Sequence, residues 1–195
     1  MFVLDSHCDT PSEIIRGRDM FADNSMGHVD FPKLRRGGVD GLFFALYVPA
    51  SMDSDPSAAL AHAKKLLSGI QTLLNEAPEV AALATNCESA LNNKASGRIS
   101  VFLGLENGSP LDPSGDWKKT LYEFYEAGVR YVTLCHSRHN EICDSCAPAE
   151  PKWNGLSPFG REVIAEMNRL GILVDVSHIS DAAFYDVLEC SSKPV

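Results

Sequence analysis

Residues 99–136 read ISVFLGLENGSPLDPSGDWKKTLYEFYEAGVRYVTLCH, and this stretch decides the fold class. Residues 99–105 are almost continuously apolar, which is typical of a strand that is covered on both faces. Residues 116–127 then predict a helix, because the apolar residues share one face and Gly128 stands where helices often end. Residues 130–135 form the next apolar strand. The pattern therefore predicts two parallel strands joined by a helix.

The same alternation runs along the rest of the chain, and it indicates an α/β fold with a parallel sheet. A complete (β/α)8 barrel has about 250 residues, whereas this chain has 195. We therefore predict an incomplete (β/α)8 TIM barrel with about five of eight strand–helix units, in which residues 1–195 belong to one domain. The further predicted strands are 2–6, 40–48 and 172–177, with a short extra strand at 80–84, and the further predicted helices are 11–16, 57–76, 88–94, 159–170 and 180–190.

Charge and hydropathy limit the kinds of molecule and surface that we expect the chain to bind. The chain has 17 basic and 26 acidic residues and a net charge of −9, which disfavours nucleic acids and anionic membrane surfaces. The longest apolar run, residues 41–48, is far shorter than the roughly 18 residues that a membrane span needs. The first residues lack a basic start and a long apolar region, so we expect no signal peptide and a cytoplasmic location.

Six cysteines are present, and we expect them to be reduced because disulfides are rare in cytoplasmic proteins. Cys143 and Cys146 form a lone CxxC in a loop-like stretch. A zinc ribbon needs a second pair, and a thioredoxin-like site needs the motif at a helix N-terminus after a strand. We therefore interpret this motif as two reduced loop thiols.

Imidazoles and carboxylates follow several predicted strands. They are His7 and Asp9 after the first strand, and Glu106, His136 and His178 after three later strands. In parallel barrels the C-terminal strand ends form the active-site face. Each residue alone is explained by a hydrogen-bonded core position or a helix cap, but unpaired together they would cost free energy, which a metal ion removes. This donor set, without thiolates, suits a catalytic Zn²⁺.

The other histidines give weaker signals. His28 precedes a stretch that we predict to be a loop, His62 lies on the long predicted helix, and His139 lies in the loop after His136. Each is expected to be a solvated or packing residue rather than a metal ligand.

These residues lie in segments that resemble the membrane (renal) dipeptidase family of zinc peptidases. The segments occur in the order of the family's motifs and cover essentially the whole chain. They are DSHCDTP at 5–11, HVDFPKLRRGG at 28–38, GLENG at 104–108, GVRYVTLCH at 128–136 followed by Asn140, GLSPFG at 155–160 and EMNRLGILVDVSH at 166–178.

The resemblance implies a (β/α)8 metallo-hydrolase that hydrolyses dipeptides to free amino acids. It implies that His7 and Asp9 bind a first zinc ion, that Glu106 bridges two zinc ions, and that His178 binds the second. His136 matches the family's substrate-binding histidine near the scissile carbonyl, where it would act in catalysis. Two ions bridged by one carboxylate can share a water molecule, and their charge would turn it into the attacking hydroxide.

The resemblance covers the N-terminal half of the family pattern. The family's remaining ligand of the second zinc and several substrate-binding residues match nothing in these 195 residues, so we expect little activity from this chain alone. We also expect it to self-associate as a homo-oligomer, because an incomplete barrel exposes sheet edges and apolar surface. Asp175 and Asn140 stand at positions from which they could orient the metal-binding residues, which is a hypothesis.

Two alternatives to a dipeptidase stay open at this stage. The first is another binuclear metal-dependent amidohydrolase that acts on lactams or other amides. The second is a metal-binding or interaction fragment without catalysis. Zinc stoichiometry would separate an enzyme from a fragment, because a completed binuclear site holds two ions.

Overall fold

The computed structural model describes residues 1–195, and the chain divides into two units. The first unit comprises residues 1–46 and 64–104, and the second comprises residues 47–63 and 105–195. In chain order the elements are β1 (Leu4–Cys8), α1 (Pro11–Ile14), α2 (Phe31–Arg36), β2 (Gly41–Tyr47), α3 (Pro56–Glu76), β3 (Ala81–Leu83), α4 (Cys87–Ala95), β4 (Ile99–Glu106), α5 (Trp117–Glu126), β5 (Val129–Thr133), α6 (Pro158–Leu170), β6 (Leu173–Asp175) and α7 (Asp181–Cys190).

The first unit contains the strand order β1-β2-β4, with the predicted short strand β3 paired to β4. β1 and β2 are parallel, and β3 and β4 are parallel. The register of β1 on β2 shifts between Asp5 and Cys8, so His7 lies in an irregular stretch of the strand. Such irregularities re-aim side chains and are frequent beside active sites. Helix α4 starts after Asn86, which forms a capping box with Ser89.

In the second unit, β5 pairs in parallel with β6, where Thr133 is opposite Asp175. All residues of β4 are buried, as the continuous apolar pattern predicts. Helices α5, α6 and α7 begin where Asp116, Ser157 and Ser180 accept a backbone N–H from the first turn. The alternation of parallel strands and helices confirms the predicted α/β class.

Three local predictions were wrong. The first strand is Leu4–Cys8 rather than 2–6, and most of its residues are not buried. The strand predicted at 172–177 is only Leu173–Asp175, because the chain turns and His178 adopts a left-handed conformation with φ of 69°. The loop predicted around Phe31 is the short helix α2. None of the helices combines the length and apolar character that crossing a membrane requires.

Asp30 is the N-cap of α2 and a fully buried carboxylate. Burial disfavours its charged form, but hydrogen bonds from Lys33 and Asn24 outweigh this and hold the pKa of Asp30 at about 2. The Nζ of Lys33 lies 2.5 Å from its carboxylate.

We expect Asp30 to make stability depend on pH at the acid end. Its folded pKa lies below the unfolded value, so its contribution is complete above about pH 4 and is lost as the pH falls toward 2. The contribution is about 2 kcal/mol. Asp30→Asn keeps a capping oxygen but cannot ionise. Urea unfolding should therefore show this variant less stable than the wild type at pH 5 and equal to it near pH 2. A difference that is independent of pH would contradict the assignment.

Candidate metal centre

Three side chains of the second unit converge beyond the ends of three strands. Glu106 is the last residue of β4, and His136 and His178 follow shortly after β5 and β6. Oε1 of Glu106 lies 3.7 Å from Nε2 of His136 and 3.4 Å from Nε2 of His178. One ligand atom from each residue lies within 4.8 Å of the other two. The structure therefore brings together three of the residues that the sequence analysis selected.

The chemistry of this cluster fits a divalent cation. Glu106 is only 4% exposed, and a buried carboxylate is costly unless it is paired. The imidazole rings of His136 and His178 lie 4.4 Å apart between centroids, so protonating both would create repulsion. A divalent cation bound by Glu106 and one imidazole nitrogen would compensate the buried charge without that repulsion. Nitrogen and oxygen donors without thiolate are typical of catalytic zinc.

The ring of His136 is held in a defined orientation. Tyr47, the last residue of β2, packs edge-on against it with 5.1 Å between ring centroids. Nδ1 of His136 is buried without a hydrogen-bond partner. A proton on Nδ1 would lack an acceptor, which favours the tautomer with the N–H on Nε2, the atom that faces Glu106. Tyr47 was not among the predicted site residues. The only feature of the sequence that points to it is its place at the end of an apolar strand.

A buried polar network lies directly behind Glu106. The side-chain amide of Asn107 donates to the carbonyl of Val48 at 3.1 Å and to Oδ1 of Asp53 at 2.7 Å. Its oxygen accepts from the amide of Asn140 at 3.1 Å, and Asn140 also donates to the carbonyl of Leu134 at 2.7 Å. The network thus joins the segments that follow β2, β4 and β5. The segment after β4 begins directly after Glu106, and the segment after β5 contains His136.

Two residues at this centre adopt left-handed backbone conformations. Asn107 has φ of 79° and His178 has φ of 69°. Such conformations are uncommon for residues other than glycine, cost free energy and cluster at functional sites. Asn tolerates this region better than most residues. Hydrogen bonds around both residues must therefore maintain the conformation.

The two residues for which we suggested an orienting role are hydrogen-bonded to segments next to the converging side chains. Asn140 belongs to the network behind Glu106. The Oδ2 of Asp175 accepts the hydroxyl of Thr133 at 2.5 Å, and its Oδ1 accepts the backbone N–H and the hydroxyl of Ser177 at 3.0 and 2.7 Å. Asp175 therefore ties the end of β5 to the turn that leads into His178.

In the first unit, the side chains of His7 and Asp9 lie close to each other. Nε2 of His7 lies 3.4 Å from Oδ1 of Asp9, and their side chains are 38% and 63% exposed. Residues i and i+2 of an extended segment point to the same side, which explains why the two side chains meet. Cys8 between them points the other way into the core, and burial raises the pKa of its thiol. That Glu106 also serves the zinc site of His7 and Asp9 stays a prediction.

The other histidines agree with the sequence analysis. His28 precedes α2, His62 lies in α3, and His139 lies in the loop after His136. Nδ1 of His139 lies 3.1 Å from Oδ1 of the buried Asp144, and its Nε2 lies 2.9 Å from the carbonyl of Glu150. None of the three belongs to a group of converging ligand atoms.

Comparison with known proteins identifies the family. The family described as membrane dipeptidase (peptidase family M19) matches residues 1–195, and the chain belongs to this family. The chain is 35% identical over 179 residues to the dipeptidase aclJ of Aspergillus oryzae. That match covers 89% of this chain and 42% of the relative, so the chain spans less than half of the relative's length.

Solved structures share the fold. The probable dipeptidase PvdM of Pseudomonas aeruginosa superposes with a TM-score of 0.91 at 23% identity, over all of this chain and 51% of that one. A metallopeptidase of Rhodobacter sphaeroides, solved with a phosphinate mimic of the dipeptide L-Ala-D-Ala, gives a TM-score of 0.86 at 24% identity, over all of this chain and 63% of that one. These matches confirm the predicted α/β fold as part of a (β/α)8 barrel.

Proposed function

We propose that the protein is a zinc-dependent dipeptidase. The observation that carries the proposal is the convergence of Glu106, His136 and His178 at the strand ends of a chain that belongs to a dipeptidase family. Glu106 and His178 would hold a zinc ion. His7 and Asp9, paired in the first unit, would hold a second one, and Glu106 would bridge the two. Zinc supplies Lewis acidity and lowers the pKa of water at the site toward neutrality.

The side chains of the chain itself bind and orient the substrate. His136 is set to donate from Nε2 to the oxygen of the scissile carbonyl, where negative charge develops as the bond is attacked. Tyr47 fixes the plane of this ring through its edge-on contact. The burial of Glu106 at the end of β4 excludes water from the carboxylate, which strengthens its interaction with a cation.

Two relatives support a dipeptide as the substrate. One is the Aspergillus oryzae protein, whose name is dipeptidase. The other is the Rhodobacter sphaeroides metallopeptidase, whose ligand is a phosphinate mimic of L-Ala-D-Ala. Such a mimic carries a tetrahedral centre in place of the scissile carbonyl, so it probes the interactions that form during attack.

The different roles of His136 and of the metal ligands give a direct test. His136→Ala should leave zinc affinity within about threefold of the wild type, and it should weaken binding of the phosphinate mimic to the zinc-loaded chain by about 100-fold. Calorimetric titration measures both quantities. His62→Ala, which removes a histidine of α3 outside the cluster, is the control and should change neither.

The outcomes separate the alternatives. If His136→Ala loses zinc, His136 is a metal ligand and its role in substrate binding is wrong. If the zinc-loaded wild-type chain binds a lactam more tightly than the dipeptide mimic, the dipeptide is the wrong substrate and the other amidohydrolase is favoured. A wild-type chain that binds no zinc overturns the proposed function.

A further inference from the structure

The segment Asp144–Cys146, inside the lone CxxC motif, contacts both histidine-bearing segments of the metal centre. Ser145 forms an antiparallel bridge with Ile179. On one side of this bridge the backbone N–H of Cys146 donates to the carbonyl of His178 at 2.9 Å. On the other side the N–H of Ser180 donates to the carbonyl of Asp144 at 2.9 Å. These bonds hold His178 in its left-handed conformation.

Ser145 also reaches the other histidine. Its hydroxyl donates to the backbone carbonyl of His136 at 2.6 Å, and its backbone N–H donates to Nδ1 of His139 at 3.0 Å. The residue is 2% exposed, so no water competes for the hydroxyl. The side chain of Ser145 is thus hydrogen-bonded to the segment of His136. The antiparallel bridge between Ser145 and Ile179 connects it to the segment of His178.

The segment that carries Ser145 is itself firmly anchored. The carboxylate of Asp144 is buried and accepts backbone N–H groups from Lys152, Trp153 and Gly155 at 2.8 to 3.1 Å. Because this segment is constrained, the hydroxyl of Ser145 has little freedom to move away from the carbonyl of His136.

We propose that Ser145 is a positioning residue that sets the place of the His136 imidazole at the metal centre. The inference rests on the proposed function, in which His136 contacts the scissile carbonyl. Loss of the hydroxyl would free the backbone at His136 and leave its carbonyl without this donor. A shift of about 1 Å in a group that meets the reacting atoms is enough to reduce binding and rate strongly. The strand pairing that holds His178 uses only backbone atoms, so a side-chain change at Ser145 leaves it in place.

A double-mutant cycle on the zinc-loaded chain tests this role. Ser145→Ala should weaken binding of the phosphinate dipeptide mimic by about 10-fold, with zinc affinity within about threefold of the wild type. In a His136→Ala background, Ser145→Ala should cause no further loss, because the other bond of the hydroxyl, which it accepts from the N–H of Ala147 at 3.2 Å, involves no proposed substrate-binding group. Ser145→Thr, which keeps the hydroxyl, should recover most of the affinity.

Ser100→Ala is the matched control. Ser100 is also a buried serine, and its hydroxyl donates to the carbonyl of Ala90 at 3.3 Å in the first unit. It should lower the melting temperature about as much as Ser145→Ala, with no effect on binding of the mimic.

Losses from Ser145→Ala and His136→Ala that simply add would overturn the positioning role. So would a Ser145→Ala variant that behaves like Ser100→Ala. If the zinc-loaded wild type binds a lactam more tightly than the mimic, the proposed dipeptidase function fails, whereas the role of Ser145 is still decided by the double-mutant cycle. The wild-type measurement therefore separates failure of the function from failure of the role of Ser145.

Discussion

Glu106→Gln is expected to weaken zinc binding by at least about 100-fold, because it would remove the carboxylate that we propose binds the ion directly, and loss of a residue that only supports a ligand costs about 10- to 100-fold. Gln has nearly the same shape, so the packing at the end of β4 is kept. It lacks the negative charge, and Glu106 is the carboxylate that contacts both His136 and His178. If Glu106 bridges two ions, the substitution should weaken both sites at once.

The measurement is a competition titration of the metal-free chain against a chromophoric chelator. Glu141→Gln serves as the control in the same unit, since Glu141 is an exposed carboxylate paired with Lys152. It should bind zinc as the wild type does. A Glu106→Gln variant that still holds zinc as tightly as the wild type would show that this carboxylate is not a ligand.

Asn107→Ala is expected to destabilise the chain by about 2–4 kcal/mol, the largest stability effect that we predict. It removes the amide that bonds the carbonyl of Val48 and the carboxylate of Asp53. The Oδ2 of Asp53 is already buried without a hydrogen-bond partner, so the carboxylate would rely on the hydroxyl of Ser109 alone. Alanine also tolerates the left-handed φ of 79° less well than asparagine.

Asn107→Gly separates the two causes. Glycine adopts positive φ without strain, so this variant should recover about 1 kcal/mol relative to Asn107→Ala. The remaining loss then measures the amide hydrogen bonds. Urea unfolding of the metal-free chain reports both values. An Asn107→Ala variant within about 0.5 kcal/mol of the wild type would mean that the network is not a source of stability.

Local patterns in the sequence were enough to predict most elements and the three side chains that converge at the candidate metal centre. The caps at Asn86 and Ser180 and the left-handed Gly171 are short-range signals, and the structure has helix ends at all three. Glu106, His136 and His178 could be grouped because parallel strands end at one edge, so residues distant in sequence are brought together by the fold alone.

The supporting contacts could not be predicted in this way. Asn107 meets Val48 across 59 positions of sequence, and no local pattern encodes such a partner. Tyr47 and Ser145 become functional candidates only once their neighbours are known. Helix α2 is different, because its signal was present. Asp30 caps it and Pro32 lies in its first turn, a combination that favours a helix start over the predicted loop.

The exposed thiol of Cys146 offers a labelling site next to the candidate metal centre. Of the six thiols only Cys87 and Cys146 are exposed, and the backbone of Cys146 is hydrogen-bonded to His178. After Cys87→Ser, an environment-sensitive fluorophore attached by maleimide chemistry would occupy this one accessible sulfur. Its emission would follow any movement of the His178 segment, so ion loading becomes an optical signal from within the molecule.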